Sequence, residues 1–208
     1  MKVALVNGSP KRQGSASGIL VAALQDRLGP TAECVVCHAA TQGRDEALAA
    51  FAGCGALVFV FPLYVDGIPS HLLRLLDEMQ GAIVGVAPDA TVCCVVNNGF
   101  YEAHQNKVAL EMMGSFCVRS GLRWGQGLGV GAGGMIAAAP IGRGPLKGLG
   151  RALDELAGNI LASRAADDRF VGPGFPRFLY QAVAHQSWRL EARQNGLKAR
   201  QLYDRPQG

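Results

Sequence analysis

Short apolar runs alternate with longer stretches in which apolar positions recur every three or four residues. Residues 3–6, 32–37, 56–61, 91–96 and about 124–130 read as strands, and 15–28, 44–53, 69–80, 104–120 and 146–163 carry the helical period. Leu57-Val58-Phe59-Val60-Phe61 is apolar at every position, which predicts a strand covered on both faces. Strands alternating with helices imply an α/β fold with a parallel sheet and helices on both sides. Right-handed crossovers favour a doubly wound sheet. Five strands allow the order 2-1-3-4-5, without excluding other orders. That order puts a ligand crevice at the strand C-terminal ends where it reverses.

The rule singles out the loops after strands 1, 3 and 4. The first is Asn7-Gly8-Ser9-Pro10-Lys11-Arg12-Gln13-Gly14-Ser15-Ala16-Ser17, a hydroxyl- and glycine-rich link from a strand into a helix. Free N–H groups at a helix start and its positive dipole end make an anion site, and a phosphate group fits there. The plainer reading is a turn with an ordinary serine N-cap. The second loop is Pro62-Leu63-Tyr64-Val65-Asp66-Gly67-Ile68-Pro69-Ser70, and the third is Asn97-Asn98-Gly99-Phe100-Tyr101-Glu102. A loop aromatic is often only a lid on the core. Aromatics on two loops aimed at one crevice, with a phosphate site on the third, fit a flat ring bearing a phosphate tail.

Beyond 163 the pattern changes. Gly172-Pro173-Gly174 breaks the chain, and a helical stretch follows with Phe175, Phe178, Leu179, Ala182 and Val183 on one stripe and Trp188 and Leu190 beyond; Asn195-Gly196 ends it. No sixth strand unit is expected. The chain therefore divides into a domain over 1–165 and a helical extension over 166–208, packed on that domain or on a second copy.

Composition narrows the class. A length of 208 residues suits one domain with an extension, and 49% apolar residues supply its core. No apolar run reaches the ~18 residues of a membrane span, and the chain enters a strand at once, with no secretory pattern. Six scattered cysteines in apolar runs read as reduced, buried thiols of a cytoplasmic protein. Cys34-Val35-Val36-Cys37 lies in a strand, where its two thiols point to opposite faces, so neither redox nor metal use is expected. The net charge of +4 is uneven. Residues 169–208 carry seven basic and two acidic groups, while the body is close to neutral. A solvated helix face explains that tail, and nucleic acid is not expected as a partner.

The loops resemble those of the flavodoxin-like NAD(P)H-dependent FMN reductases. Gly8 to Ser17 resembles that family's Gly-Ser-Pro-Arg phosphate loop, although Ala16 stands where Asn or Thr is frequent. Pro62 to Ser70 resembles its Pro-x-Tyr-x-x-x-x-Pro segment along the isoalloxazine ring, and Asn97 to Glu102 falls at its third flavin loop. The resemblance covers residues 1 to about 165. It implies a flavodoxin-like domain binding FMN, with NADPH or NADH as co-substrate and a small-molecule electron acceptor such as a quinone or flavin. It places Ser9, Lys11, Ser15, Ala16 and Ser17 at the phosphate. Pro62, Leu63, Tyr64, Val65 and Asp66 would lie along the ring, with Asn98, Gly99 and Tyr101 on its other side. No catalytic side chain and no metal are implied, since the flavin supplies the redox chemistry. A homodimer is expected. An electron-transfer protein serving a protein redox partner and a binding module with an empty crevice are the alternatives.

Two further features are weaker. Gly129-Val130-Gly131-Ala132-Gly133-Gly134 matches G-x-G-x-x-G, but it follows the last expected strand rather than opening a βαβ unit; it reads as a flexible loop near the flavin edge. His104 reads as an exposed helix-start residue or as a supporting contact behind the third loop.

Overall fold

In a computed structural model that describes residues 1–204, β1 (Lys2–Asn7) lies between β2 (Glu33–His38) and β3 (Ala56–Pro62). Beyond β3 come β4 (Thr91–Asn97), β5 (Arg123–Val130) and β6 (Arg169–Val171). Every pairing is parallel, and the order is 2-1-3-4-5-6. The order reverses between β1 and β3, which opens a crevice at their C-terminal ends. Compact units divide at Gly174, with the sheet entirely in the first. Arg205, counted in the basic tail, and the remainder of the expected extension to 208 lie outside the described residues.

Strand alternation builds two cores. Ala4, Val6, Leu57, Phe59, Phe61, Val92, Cys94 and Val96 form one with α2 (Arg44–Phe51), α3 (Ser70–Met79), α4 (Ile83–Val86) and α5 (Lys107–Ser120). Val3, Leu5, Val58, Val60, Cys93 and Val95 form the other, under α1 (Ala16–Leu28) and α6 (Lys147–Leu161). The central strands are buried on both sides, so their sequences are uniformly apolar. Cys34 packs on the second core and Cys37 sits in the first, so the C-x-x-C thiols do point to opposite faces.

The sixth strand corrects the expectation of five. β6 pairs Arg169, Phe170 and Val171 with Leu128, Gly129 and Val130. Three residues are too few to show a period of two. Its place on the sheet depends on the glycines of β5. A Cβ on Gly129 would lie 2.6 Å from the Phe170 ring, and one on Gly127 would lie 2.8 Å from the Asp168 carboxylate. The missing side chains let residues 168–170 pack down on the strand, and Phe170 stacks on His104 with ring centroids 4.2 Å apart. The helix expected from 104 begins at Lys107, after a 3-10 turn over Ala103–Asn106. Asn106 braces that turn by donating to the carbonyls of Ala103 and Val130.

The second unit is built on α7 (Arg177–Gln194), which ends at Asn195 with Gly196 in the left-handed region, φ 75°. Phe178, Leu179, Val183, Trp188 and Leu190 are exposed on it. Among the described residues, no helix is long and apolar enough to cross a membrane.

Candidate functional site

The first wall of the crevice is the loop from β1 into α1. Gly8 donates to the Val60 carbonyl at 2.8 Å, and a Cβ there would sit 2.7 Å from Leu72 and 2.8 Å from Phe61. Glycine is needed here for close approach, which seats the loop on the end of β3. Asn7 Oδ1 accepts the Ser9 N–H, and Ser9 Oγ accepts the Lys11 N–H, so the loop turns back on itself. Ser15 is the N-cap of α1, its Oγ accepting the Gly18 N–H at 3.0 Å. The cap uses a lone pair and leaves the hydroxyl proton free. The N–H groups of Ser15, Ala16 and Ser17 have no acceptor among the described residues and stand at the positive end of a 13-residue helix.

The second wall follows β3. Leu63 N–H donates to the Asn97 carbonyl, fixing Pro62 and Leu63 against β4. Tyr64 and Gly67 then exchange backbone hydrogen bonds at 3.1 and 3.0 Å around Val65 (φ 48°) and Asp66 (φ 57°). Positive φ at both central residues is the geometry of a type I′ turn. Tyr64 is half exposed and Val65 wholly so.

The third wall is an Asx turn. Asn98 N–H donates to the Val130 carbonyl. The Asn98 side chain accepts from Phe100 N–H and donates to the Glu102 carbonyl. Its amide therefore holds the loop, and Gly99 passes beside the crevice with open space where a Cβ would stand.

The fourth wall comes from the turn after β5. Gly133 donates to the Asn98 carbonyl at 2.7 Å, and a Cβ at Gly133 would lie 2.8 Å from that carbonyl. Ala132, with φ 53°, turns the chain so that Gly133 and Gly134 face the crevice.

These walls enclose about 250 Å³. Of the residues expected at the site, the structure gathers Ser9, Lys11, Ser15, Ala16, Ser17, Pro62, Leu63, Tyr64, Asn98 and Gly99 around it. Val65, Asp66 and Tyr101 stand outside the lining. Gly14 and Asn97, which lie in the singled-out loops but were not among the expected site residues, join it, as do Gly133 and Gly134 of the glycine run expected near the flavin edge. The glycine run at 129–134 was the available signal for the last two. Ser17 is 1% exposed, and its hydroxyl donates to Asn97 Oδ1 at 3.1 Å.

The donor set fits a phosphorylated, oxygen-rich ligand. Helix N–H groups and the Ser9 and Ser15 hydroxyls meet at one end, with the exposed Lys11 beside them. Leu63, Tyr64 and Gly99, from the loops after β3 and β4, add apolar and aromatic lining. The thiols lie elsewhere: burial raises Cys93 to about 11 and Cys117 to about 12, and holds Cys94 well above its ordinary value. Such thiols are weak nucleophiles near neutral pH.

An open parallel sheet with its ligand crevice at the strand-order reversal defines the flavodoxin-like α/β class. Solved structures bear out that fold. A flavodoxin from Streptococcus pneumonia TIGR4 superposes with a TM-score of 0.57 at 12% identity over 78% of this chain and 99% of its own. An NADH:FMN oxidoreductase in its apo form gives 0.60 at 14% over 85% and 96%. An FMN-dependent NADH-azoreductase from Bacillus anthracis str. Ames Ancestor, in complex with FMN, gives 0.58 at 12% over 77% and 100%. No protein-family model and no curated protein matches the sequence.

Proposed function

We propose that the protein is an FMN-dependent NAD(P)H oxidoreductase that passes a hydride from NADH or NADPH to a small acceptor such as a quinone or flavin, by ping-pong turnover in the cytoplasm. The observation that carries the reading is the crevice itself: four loops at the strand ends bring an unpaired helix N-terminus, buried hydroxyls and apolar and aromatic residues around one cavity. The fold shared with an NADH:FMN oxidoreductase and an FMN-bound azoreductase supports it.

In this reading Ser9, Ser15 and the N–H groups of Ser15, Ala16 and Ser17 bind the FMN phosphate, with Lys11 adding charge. Pro62, Leu63 and Tyr64 orient one side of the ring. Asn98 and Gly99 supply backbone along the other, held in place by the Asx turn. Val65, Asp66 and Tyr101 form the rim where co-substrate enters. Bound FMN supplies the hydride chemistry. No residue of the chain has to act as nucleophile or proton donor, which suits a site built from hydroxyls, amides and glycine. A second copy of the chain covers the exposed apolar residues of α7, giving a homodimer.

Absorbance of the purified protein tests the reading. A flavin band near ~450 nm, or its appearance on adding FMN, is expected, followed by oxidation of NADH or NADPH with a quinone. Failure to take up FMN overturns the proposal. Uptake without NAD(P)H turnover favours the electron-transfer alternative. Sedimentation as a monomer at micromolar concentration overturns the dimer.

A further inference from the structure

Asn97 is the last residue of β4 and is 6% exposed. Its backbone is pinned from both sides, in register with Pro62 of β3 and Val130 of β5, and its carbonyl accepts the Leu63 N–H. Its side chain reaches the start of α1, where Oδ1 accepts the Ser17 hydroxyl at 3.1 Å. That leaves Nδ2 at the other end of the amide. Nδ2 has no hydrogen-bond acceptor among the described residues, and Asn97 lines the crevice. Asn106 Oδ1 is also unpaired but is sealed in the interior; Asn97 Nδ2 is not. On its far side, Nδ2 faces Gly133, where a Cβ would approach to 3.1 Å. Gly133 also lines the crevice, and its missing side chain leaves Nδ2 uncrowded there.

A nine-tenths buried amide with one end engaged and the other turned toward a ligand crevice is a recognition group awaiting its acceptor. Resting on the FMN reading above, we infer that Asn97 Nδ2 donates to an oxygen of the bound flavin nucleotide, and that Ser17, bonded to the Oδ1 end, is the positioning residue that anchors the amide at the crevice. The oxygen belongs to the phosphate or to the ribityl–ring portion; both present acceptors only a donor can satisfy. Ser17 thus acts on the ligand through Asn97, in addition to the N–H it offers at the helix start. A ligand group at this place that can donate but not accept would be rejected, because two donors would then meet in a confined space.

Asn97→Ala and Ser17→Ala, singly and together, test this by titration of FMN and riboflavin into the apoprotein, read by quenching of flavin fluorescence. Asn97→Ala is expected to weaken FMN binding at least tenfold and Ser17→Ala three- to tenfold. The double variant should be no weaker than Asn97→Ala, because Ser17 works through the amide. Equal losses for FMN and riboflavin place the oxygen on the ribityl–ring portion, and a loss confined to FMN places it on the phosphate. Melting of each apoprotein checks that the fold survives. If Asn97→Ala does not fold, Ser17→Ala alone decides, with unchanged affinity counting against the inference. A change within twofold for a folded Asn97→Ala, or losses that multiply in the double variant, overturns it. Wild-type protein that fails to bind either flavin sinks the FMN reading instead, so the two failures are distinct.

Discussion

Asp168 Oδ1 accepts the backbone N–H of Gly127 at 2.7 Å. The same oxygen accepts the Trp124 indole N–H at 3.1 Å, so one carboxylate clasps β5 twice just before β6 begins. A Cβ on Gly127 would fall 2.8 Å from that oxygen, so the clasp exists only because the strand carries glycine there. Asp168→Ala should lower stability by about 1–2 kcal/mol, a charge-assisted pair of bonds discounted for an exposed carboxylate. Urea unfolding measures the loss, and faster amide exchange in 169–171 should accompany it. Unchanged exchange there would show that the clasp does not hold the sixth strand.

The phosphate loop gives a second prediction. Ser9→Ala combined with Ser15→Ala should weaken FMN binding by about 2–4 kcal/mol if both hydroxyls bond a charged phosphate. Ser15 also caps α1, so its loss should remove about 1 kcal/mol of stability even without ligand. Thermal melting of the apoprotein separates the two effects, and an unaltered FMN affinity would exclude the loop as the phosphate site.

Gly99 has open space where a Cβ would stand. Gly99→Val should therefore leave apoprotein melting nearly unchanged while blocking the flat ligand beside it. Flavin titration checks this. Normal FMN affinity in a folded Gly99→Val protein would mean the ring does not pass that residue.

Val65 holds a β-branched side chain at φ 48°, in a region such residues rarely adopt, while fully exposed. Val65→Asn suits the first central position of a type I′ turn and should relieve about 1 kcal/mol of backbone strain. The expected readout is a melting temperature higher by about 2–4 °C. A lower one would mean that Val65 makes an apolar contact in the folded assembly.

The buried thiols set an alkaline limit. Burial raises Cys93 to about 11 and Cys117 to about 12, above an ordinary value of 9.0. The folded state thus keeps protons that the unfolded chain gives up. The stability linked to these thiols is complete below pH 9.0 and falls as pH rises toward 11 and 12. Urea midpoints should hold steady to about pH 9 and then decline. Cys117→Ala should make the decline shallower, and an equal slope would assign it to other groups.

The layered sheet and its central strands were legible because burial on both faces leaves a local record. Leu57 to Phe61 are apolar in succession, and each βα unit repeats the switch from strand to helix. The loops at the crevice were legible for a similar reason, since Gly8, Ser9 and Ser15 are turn and cap chemistry written within a few residues. What the sequence could not reveal rests on contacts between distant segments. β6 is three residues long and is recognisable only against the glycines of β5. The Asn97 amide takes its hydrogen bond from Ser17, eighty positions earlier, and the bond that fixes Gly133 runs to the carbonyl of Asn98 in another loop. Periodicity reports which face a residue buries; only the packed sheet decides which remote group meets it there.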